Sequence, residues 1–390
     1  MDKIALVALA KKIVDGTATE DELFRYNAYC NELQEQSEQW EGMDMELPIL
    51  RSASLSKFWD YQQLATKKSI LLWRRAISAA AAIAIIVLGG YFFVTSRYFH
   101  PSLSSENLGI GNDIVPGKNG ATLTLSSGRV IQLSENKKGV IIHPTFFMYE
   151  DKTAISQSAS EGSGTLIAKT AKGQTYQITL PDGSKVWLNA MSSIKFPSSF
   201  TGNERQIEMI GEVYLEVAKD AKHPFIVQSR DQQVEVLGTH FNISAYSDES
   251  TTKTTLLEGS VRVGTLLSMS REASKRERDG SKVLKPGQQS VLTGNNQIKV
   301  QEINGEEAIA WKKGLFVFEN EHIRDVMNKI TRWYDISVKY GSGIENARIG
   351  GIISRYENVS QVIEMINSTK AVSCKLENRV IVVNQYKNNK

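Results

Sequence analysis

The chain has 390 residues, with 46 Lys and Arg against 43 Asp and Glu, a net charge of +3 and 41% hydrophobic residues. That length allows several domains with proper cores, and the even charge balance argues against nucleic-acid binding, which needs basic residues clustered on one face. Only two cysteines occur, Cys30 and Cys374, and neither a Cys-x-x-Cys nor a His-rich cluster is present, so neither a metal site nor a disulfide framework is expected.

Ile4, Leu6, Val7, Leu9 and Ile13 fall at helical spacing and predict a first helix, closed by Asp15-Gly16. Thr19 and Glu22 have capping-box spacing, and Leu23, Tyr26, Cys30 and Leu33 follow on one face of a second helix. A third stretch carries Leu55, Phe58, Trp59 and Leu64. Residues 1–75 therefore read as a small α-helical domain. Its aromatic residues Phe24, Tyr29, Trp40 and Trp59 either pack together or dock on a partner.

Ala76 to Thr95 is an apolar run without a charge, preceded by Lys67, Lys68, Arg74 and Arg75. A helix rises about 1.5 Å per residue, so about 20 residues cover a bilayer core of roughly 30 Å. The run predicts one transmembrane helix, residues 76–95, because a globular core helix of this length rarely lacks a polar face. The basic flank places residues 1–75 in the cytoplasm. A cleaved signal peptide would start close to the N-terminus, and this run does not. Cys30 and Cys374 would then lie in different compartments and cannot pair.

Residues 96–115 carry Ser, Asn, Gly and Pro without periodicity and read as a linker. Residues 116–310 are dominated by short alternating runs rich in Val, Ile, Thr and Tyr, which predict an all-β domain, a sandwich or a solenoid-like stack. Thr124-Leu125-Ser126-Ser127-Gly128 and Thr179-Leu180-Pro181-Asp182-Gly183 look like two equivalent hairpin turns, each with a Gly suited to positive φ. The mixed-charge run Arg271 to Lys285 reads as a solvated loop.

Residues 311–390 change period. Ile323, Val326, Met327 and Ile330, and again Val359, Val362, Ile363 and Ile366, stand at i, i+3, i+4 and i+7, between strands at Phe316–Phe318, Ile336–Tyr340, Arg348–Ile353 and around Val372 and Val380–Val383. The order β-α-β-β-α-β-β predicts an α+β domain with two helices on one face of a small sheet and an edge left open. Phe318-Glu319-Asn320 and Tyr356-Glu357-Asn358 occupy the same strand-to-helix corner in the two halves, each Asn placed to cap the next helix.

The histidines His100, His143, His223, His240 and His322 have no carboxylate or nucleophile at a recognised spacing. There is no phosphate loop, and Gly109-Ile110-Gly111 lacks the strand and helix of a dinucleotide site. No conventional enzyme, cofactor or metal is expected.

Leu180 to Ala190, then Phe196-Pro197, Arg205 and Gly211 to Val217, followed by His223 to Val227, Val236 to Ile243, Leu257 to Val261 and Lys285 to Gln288, resemble the FecR family of transmembrane sigma-factor regulators. Phe316 to Asn320 and Arg332-Trp333-Tyr334 resemble the extra C-terminal domain of its Bacteroidota members, itself similar to the short N-terminal signalling domain of secretins and TonB-dependent receptors. The resemblance implies a single-pass inner-membrane protein with a periplasmic C-terminus, touching membrane lipid and no nucleic acid. It implies an anti-sigma factor that relays a signal from the signalling domain of an outer-membrane TonB-dependent, SusC-like transporter to an extracytoplasmic-function sigma factor in the cytoplasm.

On that reading Phe24, Tyr29, Trp40 and Trp59 are candidates for the sigma factor, and Phe316, Phe318, Trp333 and Tyr334 for the transporter domain. The resemblance also marks Gly238-Thr239 as a candidate self-cleavage step, in which the Thr hydroxyl attacks the preceding carbonyl and exchanges amide for ester. The plain alternative is a turn between strands. Two other functions compete: an envelope protein binding glycan or cell wall, and a membrane-tethered hydrolase, which would need a cleft with convergent acids or histidines.

Overall fold

A computed structural model describes residues 113–155, 164–269 and 280–387. The helical head, the apolar run Ala76–Thr95 and nearly all of the linker lie outside these residues. Among the described residues no helix is long and apolar enough to cross a membrane.

Strands from Lys118–Asn119 to Ile298–Glu302 form two sheets that share one apolar core. One sheet runs in the order Val130–Leu133, Ala121–Thr124, Thr165–Lys169, Ser193–Pro197, the first half of Arg205–Glu216, Phe225–Ser229, Gln232–Val236, Val261–Thr265 and Lys282–Leu284. The other runs from Ala154–Ile155 through Phe147–Tyr149, Gly139–Ile142, Gln174–Thr179 and Lys185–Leu188 to the second half of Arg205–Glu216, then His240–Ala245, Thr251–Glu258, Gln288–Thr293 and Ile298–Glu302. From Phe225 onward hairpins alternate between the sheets, so the domain is a sandwich wound in a solenoid-like progression, and the two predicted forms describe one object.

The strand Arg205–Glu216 belongs to both sheets, and Gly211 is where it crosses. Residues up to Ile210 pair with Ser193–Pro197, and from Gly211 onward with His240–Ala245. Gly211 has φ +88°, and a Cβ there would lie 2.7 Å from the Met191 carbonyl oxygen and 2.8 Å from Ser192 Cα, so no other residue fits this bend. Leu123, Phe196 and Val227 from one sheet meet Ile178, Leu188 and Ile243 from the other. Each such side chain contributes about 1.5–3 kcal/mol on burial.

The two predicted turns are equivalent. Leu125 N–H donates to Arg129 O and Leu180 N–H to Ser184 O, at 2.9 and 2.8 Å, and Gly128 and Gly183 have φ of 85° and 84°. The charged run 271–285 departs from its reading at its end, where Lys282–Leu284 adds an edge strand paired with Val261–Thr265. Alternation is hidden there because both Lys282 and Val283 face solvent.

A one-turn helix, Gly305–Ala308, and a 3-10 turn, Ala310–Lys313, lead into the C-terminal domain. Its order is the one read from the sequence: Leu315–His322, helix α1 (Ile323–Tyr334), Ser337–Tyr340, Arg348–Ser354, helix α2 (Val359–Ser368), Val372–Glu377 and Val380–Gln385. The single sheet expected there is two. Leu315–His322 pairs antiparallel with Arg348–Ser354, while Val380–Gln385 lies between Ser337–Tyr340 and Val372–Glu377. Val326, Met327 and Ile330 of α1 and Val359, Val362 and Ile366 of α2 are fully buried in the core they share.

The proposed symmetry of the two corners holds only for the second. Asn358 caps α2 through a capping box with Gln361. Asn320 instead sits in a bulge of the first strand at φ +47°, the strand runs on through Glu321 and His322, and His322 caps α1 by accepting from Arg324 N–H. Pairing of Glu321 and His322 with Ile349 and Arg348 holds the chain extended past the point where the second half has already turned helical.

Candidate functional site

Arg205 opens its strand and is 4% exposed. Its Nη1 donates to Asp182 Oδ2 at 2.7 Å and to Ala218 O at 2.9 Å, its Nε donates to His223 O at 2.9 Å, and the guanidinium lies 5.2 Å from the Phe225 ring. Ser184 Oγ donates to the same Asp182 oxygen and accepts from Ala218 N–H. Motifs scattered over more than 40 residues thus converge on one buried ion pair. This buried pair ties the strand start at Arg205 to the turn at Asp182 and to the backbone at Ala218 and His223.

A second cluster lies on the outer face of the second sheet, between the sandwich and the C-terminal domain. Asn189 Nδ2 and Asn242 Nδ2 donate to the two oxygens of Glu212 at 2.7 and 3.0 Å. Trp311 Nε1 donates to Asn242 Oδ1 at 3.2 Å, and Arg355 Nη2 donates to Asn189 Oδ1 at 3.0 Å. Burial pushes the Glu212 carboxyl above its ordinary range, against the pull of the two asparagines. Burial likewise lowers the Arg355 guanidinium to about 10, with Glu212 opposing. Arg355 also donates from Nη1 to Trp311 O at 2.9 Å and stacks 3.9 Å from the Trp333 ring.

Two further cations cross the seam. Arg332 of α1 pairs with Asp248 at 2.7 Å and Glu249 at 2.6 Å in the hairpin loop of the sandwich, and stacks 3.6 Å from the Tyr246 ring. Lys312 lies 3.9 and 4.3 Å from the Trp187 and Tyr214 rings and pairs with Glu216 at 3.2 Å. Burial lowers the Lys312 ammonium and Glu216 partly restores it. A polar cavity of about 500 Å³, lined by Glu212, Asn242, Thr255, Gln289, Lys329 and Arg355 among others, lies between these contacts. The seam can dock two domains in one geometry and hold water or a small polar molecule.

Phe316, Phe318, Trp333 and Tyr334, expected on a partner surface, are 4, 1, 3 and 3% exposed. They form the core of their own domain, where Tyr334 Oη donates to Glu357 O at 2.6 Å and Trp333 Nε1 to Arg355 O at 2.7 Å. Aromatic character and burial signal are the same in sequence, so a core stripe passed for a docking face. Phe24, Tyr29, Trp40 and Trp59 lie outside the described residues.

Gly238-Thr239 forms the connection between Gln232–Val236 and His240–Ala245. Gly238 has φ +151°, and a Cβ there would come within 2.8 Å of Lys219 Cα. Thr239 is 3% exposed and its hydroxyl donates to Ser260 O at 3.1 Å. The described histidines stay apart: His143 stacks on Phe146, His223 pairs with Asp220, His240 with Glu258, and His322 caps a helix. Among the described residues no group of three or more His, Cys, Asp or Glu could hold a metal. Cys374 is buried, and burial raises its thiol to about 12.

Trp311 and Arg355 are among the seam residues that no motif in the sequence marks. Trp311 is an aromatic set beside Lys312 and Lys313 in a connecting segment, the kind of isolated signal that marks an interdomain contact. Arg355 carries no signal, because a buried arginine and a surface arginine look alike until the tertiary structure pairs them.

Residues 167–262 match the family described as FecR protein, and residues 315–383 match FecR, C-terminal. Two crystal structures of a candidate anti-sigma factor from Parabacteroides distasonis ATCC 8503, at 2.50 and 1.65 Å resolution, are similar to this chain, each with 26% identity and a TM-score of 0.51. The likeness covers 57% of this chain and 100% and 99% of theirs. No curated protein matches the chain.

Proposed function

We propose that this protein, with its two FecR-family segments in sandwich-then-α+β order, is an anti-sigma factor of the bacterial inner membrane. The observation that carries the reading is the joint match of both segments, together with 26% identity to a candidate anti-sigma factor over that protein's whole length. On this reading residues 1–75 hold an extracytoplasmic-function sigma factor in the cytoplasm, residues 76–95 cross the membrane once, and the sandwich and C-terminal domain stand in the periplasm. The signal comes from the periplasmic signalling domain of an outer-membrane TonB-dependent, SusC-like transporter.

The buried aromatics of the C-terminal domain redirect where that partner would bind. The outer strand Ser337–Tyr340 of the three-stranded sheet pairs on one side only within its sheet, whereas the opposite edge is capped by the Asn367 side chain on the main chain of Cys374, and an edge of the first kind accepts a partner strand through main-chain hydrogen bonds. Moving a two-state equilibrium from 1:99 to 99:1 through a single helix needs about 5.5 kcal/mol of differential binding, and cleavage evades that requirement. Self-cleavage at Gly238-Thr239 therefore belongs to the proposal. The Thr239 hydroxyl must leave Ser260 O to reach the Gly238 carbonyl, the shift leaves an ester and a free Thr239 amine, and water then hydrolyses that ester to part the chain.

Purification of the tagged full-length chain from membranes should bring down an alternative sigma factor, and protease protection should leave residues 1–75 intact in spheroplasts. Glycan affinity without any sigma factor would replace this reading with an envelope structural role. Immunoblots should show two fragments, 1–238 with the head and span and 239–390 in the periplasm, that merge into full length in Thr239→Ala, and an uncut wild-type chain would end the self-cleavage idea.

A further inference from the structure

The described chain enters the sandwich by way of the C-terminal domain, which it reaches in sequence only some 200 residues later. Ile114 is 8% exposed and belongs to the apolar core of that domain, with Phe316, Trp333 and Val359. Its carbonyl accepts from Val359 N–H at 3.0 Å. Val359 opens α2, where a backbone donor has no partner within the helix, so this bond satisfies a group the helix itself cannot.

Three residues on, the strap is pinned from both sides. A Cβ on Gly117 would lie 2.5 Å from Gly173 O of the sandwich and 2.8 Å from the Trp333 ring of the C-terminal domain, so the backbone passes through a gap that only glycine fits. Lys118 N–H donates to Gly173 O at 2.7 Å, and Lys118–Asn119 pairs parallel with Gln174–Thr179. Gly173 N–H in turn donates to Arg332 O at 2.8 Å. Arg332 is the residue whose side chain reaches Asp248 and Glu249 across the seam, so the ionic contact and the strap share one residue.

We propose that residues 114–117 are a clasp: the C-terminal domain grips the segment that leads to the membrane span against the sandwich, and undocking the C-terminal domain releases it, while Lys118–Asn119 stay paired with the sandwich. This rests on the membrane topology set out above. The linker 96–113 reaches at most about 60 Å when extended, and release of 114–117 adds about 13 Å to that tether. A partner that shifts the C-terminal domain would thus change the length and tension of the connection to the cytoplasmic head without any motion inside the sandwich.

The test uses the full-length protein in membranes or detergent, with Ile114→Asp and Gly117→Val as release variants and Val115→Asp, at a position 70% exposed, as the control. Hydrogen exchange of peptides covering 113–117 and the first turn of α2 should accelerate at least tenfold in both release variants. Peptides of the strand Arg205–Glu216 should keep wild-type protection, and the control should change nothing. In cells, both release variants should move a sigma-dependent reporter in the same direction without inducer.

Unchanged exchange at 113–117 overturns the clasp. Accelerated exchange with an unmoved reporter overturns its role in transmission. Loss of protection throughout the sandwich in both variants also overturns it, because the strap would then be part of the foundation of the fold. Failure of the wild-type chain to bind a sigma factor is read separately, from copurification, and bears on the anti-sigma reading alone.

Discussion

The sandwich interior and the seam against the C-terminal domain are both buried, yet they are built from opposite materials. Leu123, Phe196, Phe225, Phe241 and Val263 fill the first with apolar surface, whereas Glu212, Arg332, Arg355 and Lys312 hold the second through directed hydrogen bonds, ion pairs and ring contacts. Apolar burial is non-directional and scales with area, so a sandwich core keeps each sheet in place against many small shifts. A seam of paired charges stabilises one geometry and penalises others, since any displaced partner leaves a charge unpaired away from water. The sandwich core therefore absorbs small shifts, whereas the docking of the C-terminal domain is confined to one geometry.

The largest effect should come from the sandwich core. Phe196→Ala empties a site that is 1% exposed between the sheets and should cost about 3–5 kcal/mol, measured by denaturant unfolding. Arg332→Ala should come next, at about 2 kcal/mol, because it removes charge-assisted hydrogen bonds to Glu249 and to the exposed Asp248 and the stack on Tyr246. The two losses differ in kind. Phe196→Ala should lower the unfolding midpoint of the sandwich, while Arg332→Ala should leave that midpoint in place and expose residues 303–314 to limited proteolysis. Equal effects on one cooperative transition would erase the distinction between core and seam.

Glu212 sharpens the comparison through pH. Its carboxyl is raised above the ordinary 4.5 by burial, so between that value and its own pKa the folded chain binds more protons than the unfolded one. Its contribution is then fully favourable below the ordinary value and declines as pH rises through the folded pKa. Thermal midpoints of the wild type measured across a pH series should carry this decline, and Glu212→Gln should remove it. A variant with the same pH dependence as wild type would mean that Asn189 and Asn242 outweigh desolvation at this carboxylate.

The fold was legible where periodicity is local. The i, i+3, i+4, i+7 sets at Ile323 and Val359, the twin turns at Gly128 and Gly183, and the strand order of the C-terminal domain all follow from spacing alone. The seam was illegible because its logic is long-range: Arg355 meets Asn189 across 166 positions, and nothing near either residue announces the other. The same limit explains Phe316, Phe318, Trp333 and Tyr334, whose aromatic character fits a docking face or a core equally well until neighbouring elements cover them. Gly211 lay in between, since its place in the Gly211-Glu212-Val213 run was visible while the change of sheet that requires it was not.

The smallest predicted effect concerns the two strand-to-helix corners, where like sequences take unlike roles. Asn358→Ala removes the side chain that accepts at the N-terminus of α2 and should cost about 1 kcal/mol. Asn320→Gly changes a residue at φ +47° in a strand bulge that glycine also adopts, so its effect should stay within a few tenths of a kcal/mol. Denaturant unfolding of the two variants side by side decides the point. Equal losses would mean that Asn320 caps α1 in solution, with His322 displaced from that role, and the C-terminal domain would then be the symmetric duplication its sequence suggests.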